Sequence, residues 1–216
     1  YDDELNDYGN EETLTATAVY AGWTGTVSGV WTASNSPYVI TGDLFVDEDE
    51  SLTIEAGVEV RFYGDYQMYV NGSLFIEGTE SDSVYFMNHV NDEEDDIGSW
   101  RGLRFAYWYS GNQEVDISYL HLSGVADDWG IAVYEFRSNE DESSMTISNS
   151  TITNNNGGVY MGNIYNQVSM SHCKLENNSS ALYVEYVHSI PGGESSCLSV
   201  DNCTFSNNGY AGLRLE

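Results

Sequence analysis

Val115-Asp-Ile-Ser-Tyr-Leu-His-Leu122, Met145-Thr-Ile-Ser-Asn-Ser-Thr-Ile152, Val168-Ser-Met-Ser-His-Cys-Lys-Leu175 and Leu198-Ser-Val-Asp-Asn-Cys-Thr-Phe205 are four copies of one segment. Apolar residues alternate with polar ones in each, the mark of a strand with one face buried and one exposed. After each copy comes a turn and another short apolar strand, at 131–133, 159–161, 182–184 and 213–215. Successive copies begin 30, 23 and 30 residues apart, so the strands keep register while the loops between them change length. That behaviour fits a solenoid coil of short strands joined by turns. A β-sandwich would show hairpin turns between its strands, and those are scarce here.

The first half continues the pattern with larger insertions. Leu52-Thr-Ile54, 58–62 and Met68-Tyr-Val70 make one coil, and Leu74-Phe-Ile76, Val84-Tyr-Phe86 and Leu103-Arg-Phe105 make the next. The expected architecture is all-β, a right-handed parallel β-helix of about six three-strand coils with an N-terminal cap. At about 4.8 Å per coil this is a rod roughly 30 Å long. Residues 1–22 read as an acidic lead-in, 23–216 as the β-helix domain, and 23–43 within it as the cap, with Trp23, Trp31 and Pro37 covering the first coil.

Alignment of the coils sets residues into columns. Asn154, Asn177 and Asn207 share one turn position, where stacked amides can bond to one another and to the turn backbone. Ser150, Cys173 and Cys203 form a small inner column, and His172 falls between Asn149 and Asn202 as a bend residue. The outer column Phe45, Tyr69, Tyr160, Tyr183 is aromatic, interrupted by Arg104 and Ala132 and ended by Arg214.

Composition narrows the partners. The 216 residues hold 35 acids against 6 bases, a formal net charge of −29. Such a field repels nucleic acid and anionic lipid. No apolar run approaches the roughly 20 residues a membrane-spanning helix needs, so membrane insertion is not expected. No signal peptide is present, and the numbering is read as starting at or after a processing site.

Beyond these columns, Gly25-Thr-Val-Ser-Gly-Val-Trp-Thr-Ala-Ser-Asn-Ser-Pro-Tyr-Val-Ile40, Ser51-Leu-Thr-Ile-Glu-Ala-Gly-Val-Glu-Val-Arg-Phe62, Val70-Asn-Gly-Ser-Leu74 and Trp100-Arg-Gly-Leu-Arg-Phe105 precede the Asn-rich repeats. With them the chain, over roughly residues 23 to 216, resembles the right-handed parallel β-helix repeat proteins secreted by bacteria, within the pectin-lyase-like superfamily. The resemblance implies an exported protein, extracellular or at the cell surface, often part of a longer chain. Members of that superfamily include polysaccharide lyases, hydrolases and adhesins, so shared fold licenses no reaction.

Each candidate site has a competing reading. A lyase of this kind would need clustered carboxylates for Ca²⁺ and a base on one outer face, and a hydrolase an acid pair. The face expected to carry them reads Thr53, Phe75, Asp116, Thr146, Ser169, Ser199, with one carboxylate and no base. The chain is therefore read as no enzyme. Calcium is the one cofactor the acidic turns admit, with Asp95, Asp96, Asp127 and Asp128 as ligands, set against plain solvated charge. Tyr69, Tyr160 and Tyr183 form a glycan platform or simply stabilise neighbouring strands. Cys173 and Cys203, one coil apart, lie within disulfide range or stay as buried thiols, and Cys197 competes for Cys203. The terminal strand Leu213, Arg214, Leu215 is an edge suited to end-to-end assembly, to continuation in a longer protein, or to an irregular cap.

The expectation is thus an extracellular β-helix with a structural, self-assembling or adhesive role and no catalysis. The alternatives are a carbohydrate-binding module and a divergent polysaccharide lyase or hydrolase. The expected partners are the chain itself, end to end, and polysaccharide or cell-surface glycan.

Overall fold

The computed structural model describes residues 22–89, 99–105, 113–137, 143–188 and 197–216. Every strand pairing among them is parallel. The chain is a parallel β-solenoid in which each coil contributes one strand to each of three columns. An opening turn consists of Gly29–Trp31 in the first column and the long strand Tyr38–Val46, whose two halves start the second and third.

Six coils follow. The first is Ser51–Glu55, Glu59–Phe62 and Met68–Val70, and the second is Ser73–Glu77, Val84–Asn88 and Leu103–Phe105. The third is Glu114–Ser118, Leu120–Leu122 and Trp129–Val133, and the fourth is Ser144–Ser148, Thr151–Thr153 and Gly157–Ile164. The fifth is Gln167–Ser171, Lys174–Glu176 and Ser180–Val187, and the sixth is Leu198–Asp201, Thr204–Ser206 and Ala211–Leu215.

The alternation in sequence sorts the side chains as expected. Leu52, Leu74, Val115, Met145 and Val168 stack inward along the first column, with Ile54, Ile76, Ile117, Ile147 and Met170 beside them, all buried. Under the third column Leu103, Ile131, Val159 and Leu182 do the same. Residues 23–43 are built into the sheets. Trp23 pairs with Ile40, and Gly25 and Thr26 pair with Leu44 and Phe45, along Tyr38–Val46, and buried Trp31 stacks on Tyr38 with centroids 4.4 Å apart.

Sharp bends between columns require left-handed backbone, which asparagine tolerates better than other non-glycine residues. Tyr119, Asn149, His172 and Asn202 take φ of 49°, 49°, 53° and 50° at the bend between the first and second columns, so His172 is indeed a bend residue. Asn154, Asn177 and Asn207 take φ of 57°, 56° and 55° at the next bend.

The amide stack expected at those three positions lies one residue later. Left-handed backbone turns Asn154, Asn177 and Asn207 to solvent, and the following asparagine points inward. Asn178 Oδ1 accepts from the backbone N–H of Asn155 at 3.0 Å and from its Nδ2 at 3.1 Å. Asn208 Oδ1 in turn accepts from the N–H of Asn178 at 3.1 Å, and Asn155 Oδ1 accepts from Val125 at 3.0 Å. Each pair thus divides the work: the first residue bends the chain, and the second satisfies buried backbone groups.

Candidate functional site

The outer row of the third column runs in the order Phe45, Tyr69, Arg104, Ala132, Tyr160, Tyr183, Arg214, each paired with the next. The row divides into two aromatic groups. Phe45 and Tyr69 stack at 5.2 Å, with Gln67 Nε2 donating to the Tyr69 hydroxyl at 2.6 Å. Arg104 and the buried Ala132 separate them from Tyr160 and Tyr183, whose centroids are 5.5 Å apart. Tyr69 therefore does not join the other two in one surface.

Two further rings enlarge the second group. Trp129 lies 5.8 Å from Tyr160 and 6.1 Å from Tyr183, and Tyr134 lies 5.5 Å from Tyr160. All four rings are half-buried. Glycines make room for two of them. A Cβ on Gly157 would fall 2.3 Å from Trp129 Cε3, and one on Gly162 would fall 2.5 Å from the Tyr160 hydroxyl. Without those side chains the indole and the phenol settle across the sheet of the fourth coil. Centroid separations this short put the rings in contact with one another. They form one cluster of tilted rings.

Trp129 is held at its main chain by an ion pair. Arg104 Nη1 donates to the Trp129 carbonyl at 3.1 Å, and Asp128 Oδ1 accepts from the Trp129 N–H at 2.9 Å. The two clamping side chains meet at 2.5 Å, and Arg104 also donates to the Arg101 carbonyl. The Arg104 side chain is only 4% exposed, so its charge needs these partners. Elsewhere in the site Tyr160 donates to Glu185 Oε2 at 2.9 Å and Tyr183 to Glu216 Oε2 at 2.7 Å. Burial, and then the bond to Glu185, hold the Tyr160 phenol protonated well above its ordinary range. The Arg214 guanidinium lies 4.8 Å over the Tyr183 ring and pairs with Glu216.

The remaining candidates are dispersed. Asp127 is exposed, while Asp128 pairs with Arg104 and accepts from the Trp129 N–H. Asp95 and Asp96 lie outside the described residues. No group of three or more His, Cys, Asp or Glu side chains converges among the described residues. Cys173 and Cys203 sit one coil apart in the inner column, and both are free thiols, as is Cys197. Cys173 Sγ donates to the Ser171 carbonyl at 3.3 Å and Cys197 Sγ to the Tyr165 carbonyl at 2.9 Å. Leu213, Arg214 and Leu215 lie in the last strand, where Leu213 is 49% and Leu215 67% exposed, although their counterparts Leu182 and Val184 are buried.

The outer row of the first column reads Thr53, Phe75, Asp116, Thr146, Ser169, Ser199 in the register expected of it. It presents hydroxyls, one ring and one carboxylate.

Trp129, Tyr134, Gly157 and Gly162 were not singled out in the sequence. A signal exists for two of them: Trp129 and Gly157 are partners in adjacent coils, and a glycine opposite a tryptophan on an outward row marks a ring that needs space. Comparison with family models, with curated protein sequences and with solved structures returns no match for this chain.

Proposed function

We propose that this β-solenoid is a secreted, non-catalytic adhesive module that binds polysaccharide through the surface formed by Trp129, Tyr134, Tyr160 and Tyr183. Within this reading it belongs with the pectin-lyase-like surface proteins of bacteria that its sequence resembles. The observation that carries it is the seating of two rings over Gly157 and Gly162, with Trp129 gripped by Arg104 and Asp128. Strand stabilisation alone asks only for neighbouring side chains in the row. An ion pair with a buried arginine, both of whose members bond the main chain of one half-exposed tryptophan, goes beyond that need. Ring surface of this kind suits the C–H faces of sugars, and tyrosine and tryptophan carry much of the binding energy at recognition surfaces.

The absence of catalysis in this reading rests on the outer row of the first column. With Thr53, Thr146, Ser169 and Ser199 around Asp116, it offers no partner carboxylate or base in that row for β-elimination or hydrolysis. The test is co-sedimentation of the chain with a panel of insoluble polysaccharides, alongside the W129A/Y160A double variant. Retention of the native chain and release of the double variant is the expected result. Equal retention of both, or retention of neither, overturns the proposal.

A further inference from the structure

The electrostatics around the rings restrict the ligand. All 6 lysines and arginines of the sequence fall within the described residues, and each is already engaged. Arg61, Arg101, Arg104, Lys174 and Arg214 pair with Glu59, Asp65, Asp128, Glu176 and Glu216, and Arg137 lies over the Tyr165 ring at 5.1 Å. The two cations in the platform row, Arg104 and Arg214, are both closed by carboxylates. Glu185 borders the rings through the Tyr160 hydroxyl.

We infer that the platform takes a neutral polysaccharide and discriminates against polyanionic ones. The inference rests on reading the rings as a glycan surface and adds the class of glycan. A sugar hydroxyl can donate to the Glu185 carboxylate, which has acceptor capacity beyond its bond to Tyr160. A uronate or sulfate group at the same place would stand beside Glu185 and Glu216, and Arg214, the cation that ends the row, is already paired with Glu216. The net charge of −29 extends this repulsion to the approach of a polyanion. Discrimination here is carried by a repulsive feature as much as by an attractive one.

The experiment is biolayer interferometry of the 1–216 chain on an immobilised glucan, xylan and mannan, and on the carboxymethylated derivative of each. It is run at about 0.01 M and about 1 M salt, where the screening length falls from roughly 30 Å to 3 Å. Circular dichroism at both salt concentrations confirms the fold. At least one neutral polymer is expected to bind, with its carboxymethyl derivative about tenfold weaker at low salt and the gap closing at high salt. Glu185→Gln is expected to recover roughly threefold of the affinity for the derivative, the size of one screened surface charge. A derivative that binds as well as its parent at low salt overturns the inference. If W129A still abolishes that binding, the platform itself stands and the charge argument alone fails. If no polymer binds, the platform and the inference fall together.

Discussion

The indole of Trp129 occupies the space that a side chain on Gly157 would fill, with Cε3 2.3 Å and Cδ2 2.4 Å from the position of the missing Cβ. The two residues are partners in neighbouring coils of the third column. Gly157→Ala is therefore expected to push the indole off the sheet without unfolding it. Polysaccharide affinity should fall about tenfold, a loss of roughly 1.4 kcal/mol. The melting temperature should move by only about 2–4 °C, the shift that 1 kcal/mol produces in a domain of this size.

The inward asparagines hold the second bend. Asn178 is 2% exposed, accepts from both nitrogens of Asn155, and donates through Nδ2 to the Ile152 carbonyl at 3.0 Å. Asn178→Ala removes the partner of the Asn155 N–H and of the Ile152 carbonyl, both in the fourth coil, each costing about 1–3 kcal/mol. Urea denaturation should show a loss of about 3 kcal/mol or more. The same substitution at exposed Asn154 should show a smaller loss, confined to its left-handed backbone.

Cys173 gives a pH dependence. Burial pushes its thiol from an ordinary value near 9 up to about 12. Between those values the unfolded chain has lost the proton that the folded chain keeps, so the folded state binds more protons and stability falls as pH rises. This one group removes roughly 1.4 kcal/mol per pH unit within that window. Cys173→Ala should flatten the alkaline limb of a stability–pH curve, and at pH 8 the native Cys173 thiol should react with a thiol reagent far more slowly than in denaturant.

Charge balance gives a salt dependence. With 35 acids and all 6 bases engaged, most carboxylates repel one another without compensation. Repulsion of this kind disfavours the compact state and is screened by salt. The melting temperature should climb steadily from low salt to molar NaCl. A flat or falling profile would mean that the acidic surface does not govern stability.

The coil register was legible because inward and outward positions alternate strictly: Val115, Met145, Val168 and Leu198 hold equivalent places in the repeat and are partners in the sheet. The order of the outer row from Phe45 to Arg214 followed from the same alignment. The amide ladder was misplaced by one residue because Asn154-Asn155 and Asn177-Asn178 look alike in sequence, while backbone sign decides which of each pair faces inward. The clamp on Trp129 was not legible, since Arg104 reaches it from the previous coil through hydrogen bonds to main-chain groups that leave no pattern in side-chain identity.

The most direct test of the platform is isothermal titration of the native chain and of W129A with a soluble neutral polysaccharide selected from the binding panel. Trp129 is half-exposed, so its removal should spare the fold, which circular dichroism checks on the same samples. A loss of about tenfold or more in affinity, with an unchanged spectrum, is the predicted result. Unchanged affinity in W129A would contradict the account and return Trp129, Tyr134, Tyr160 and Tyr183 to a purely structural role.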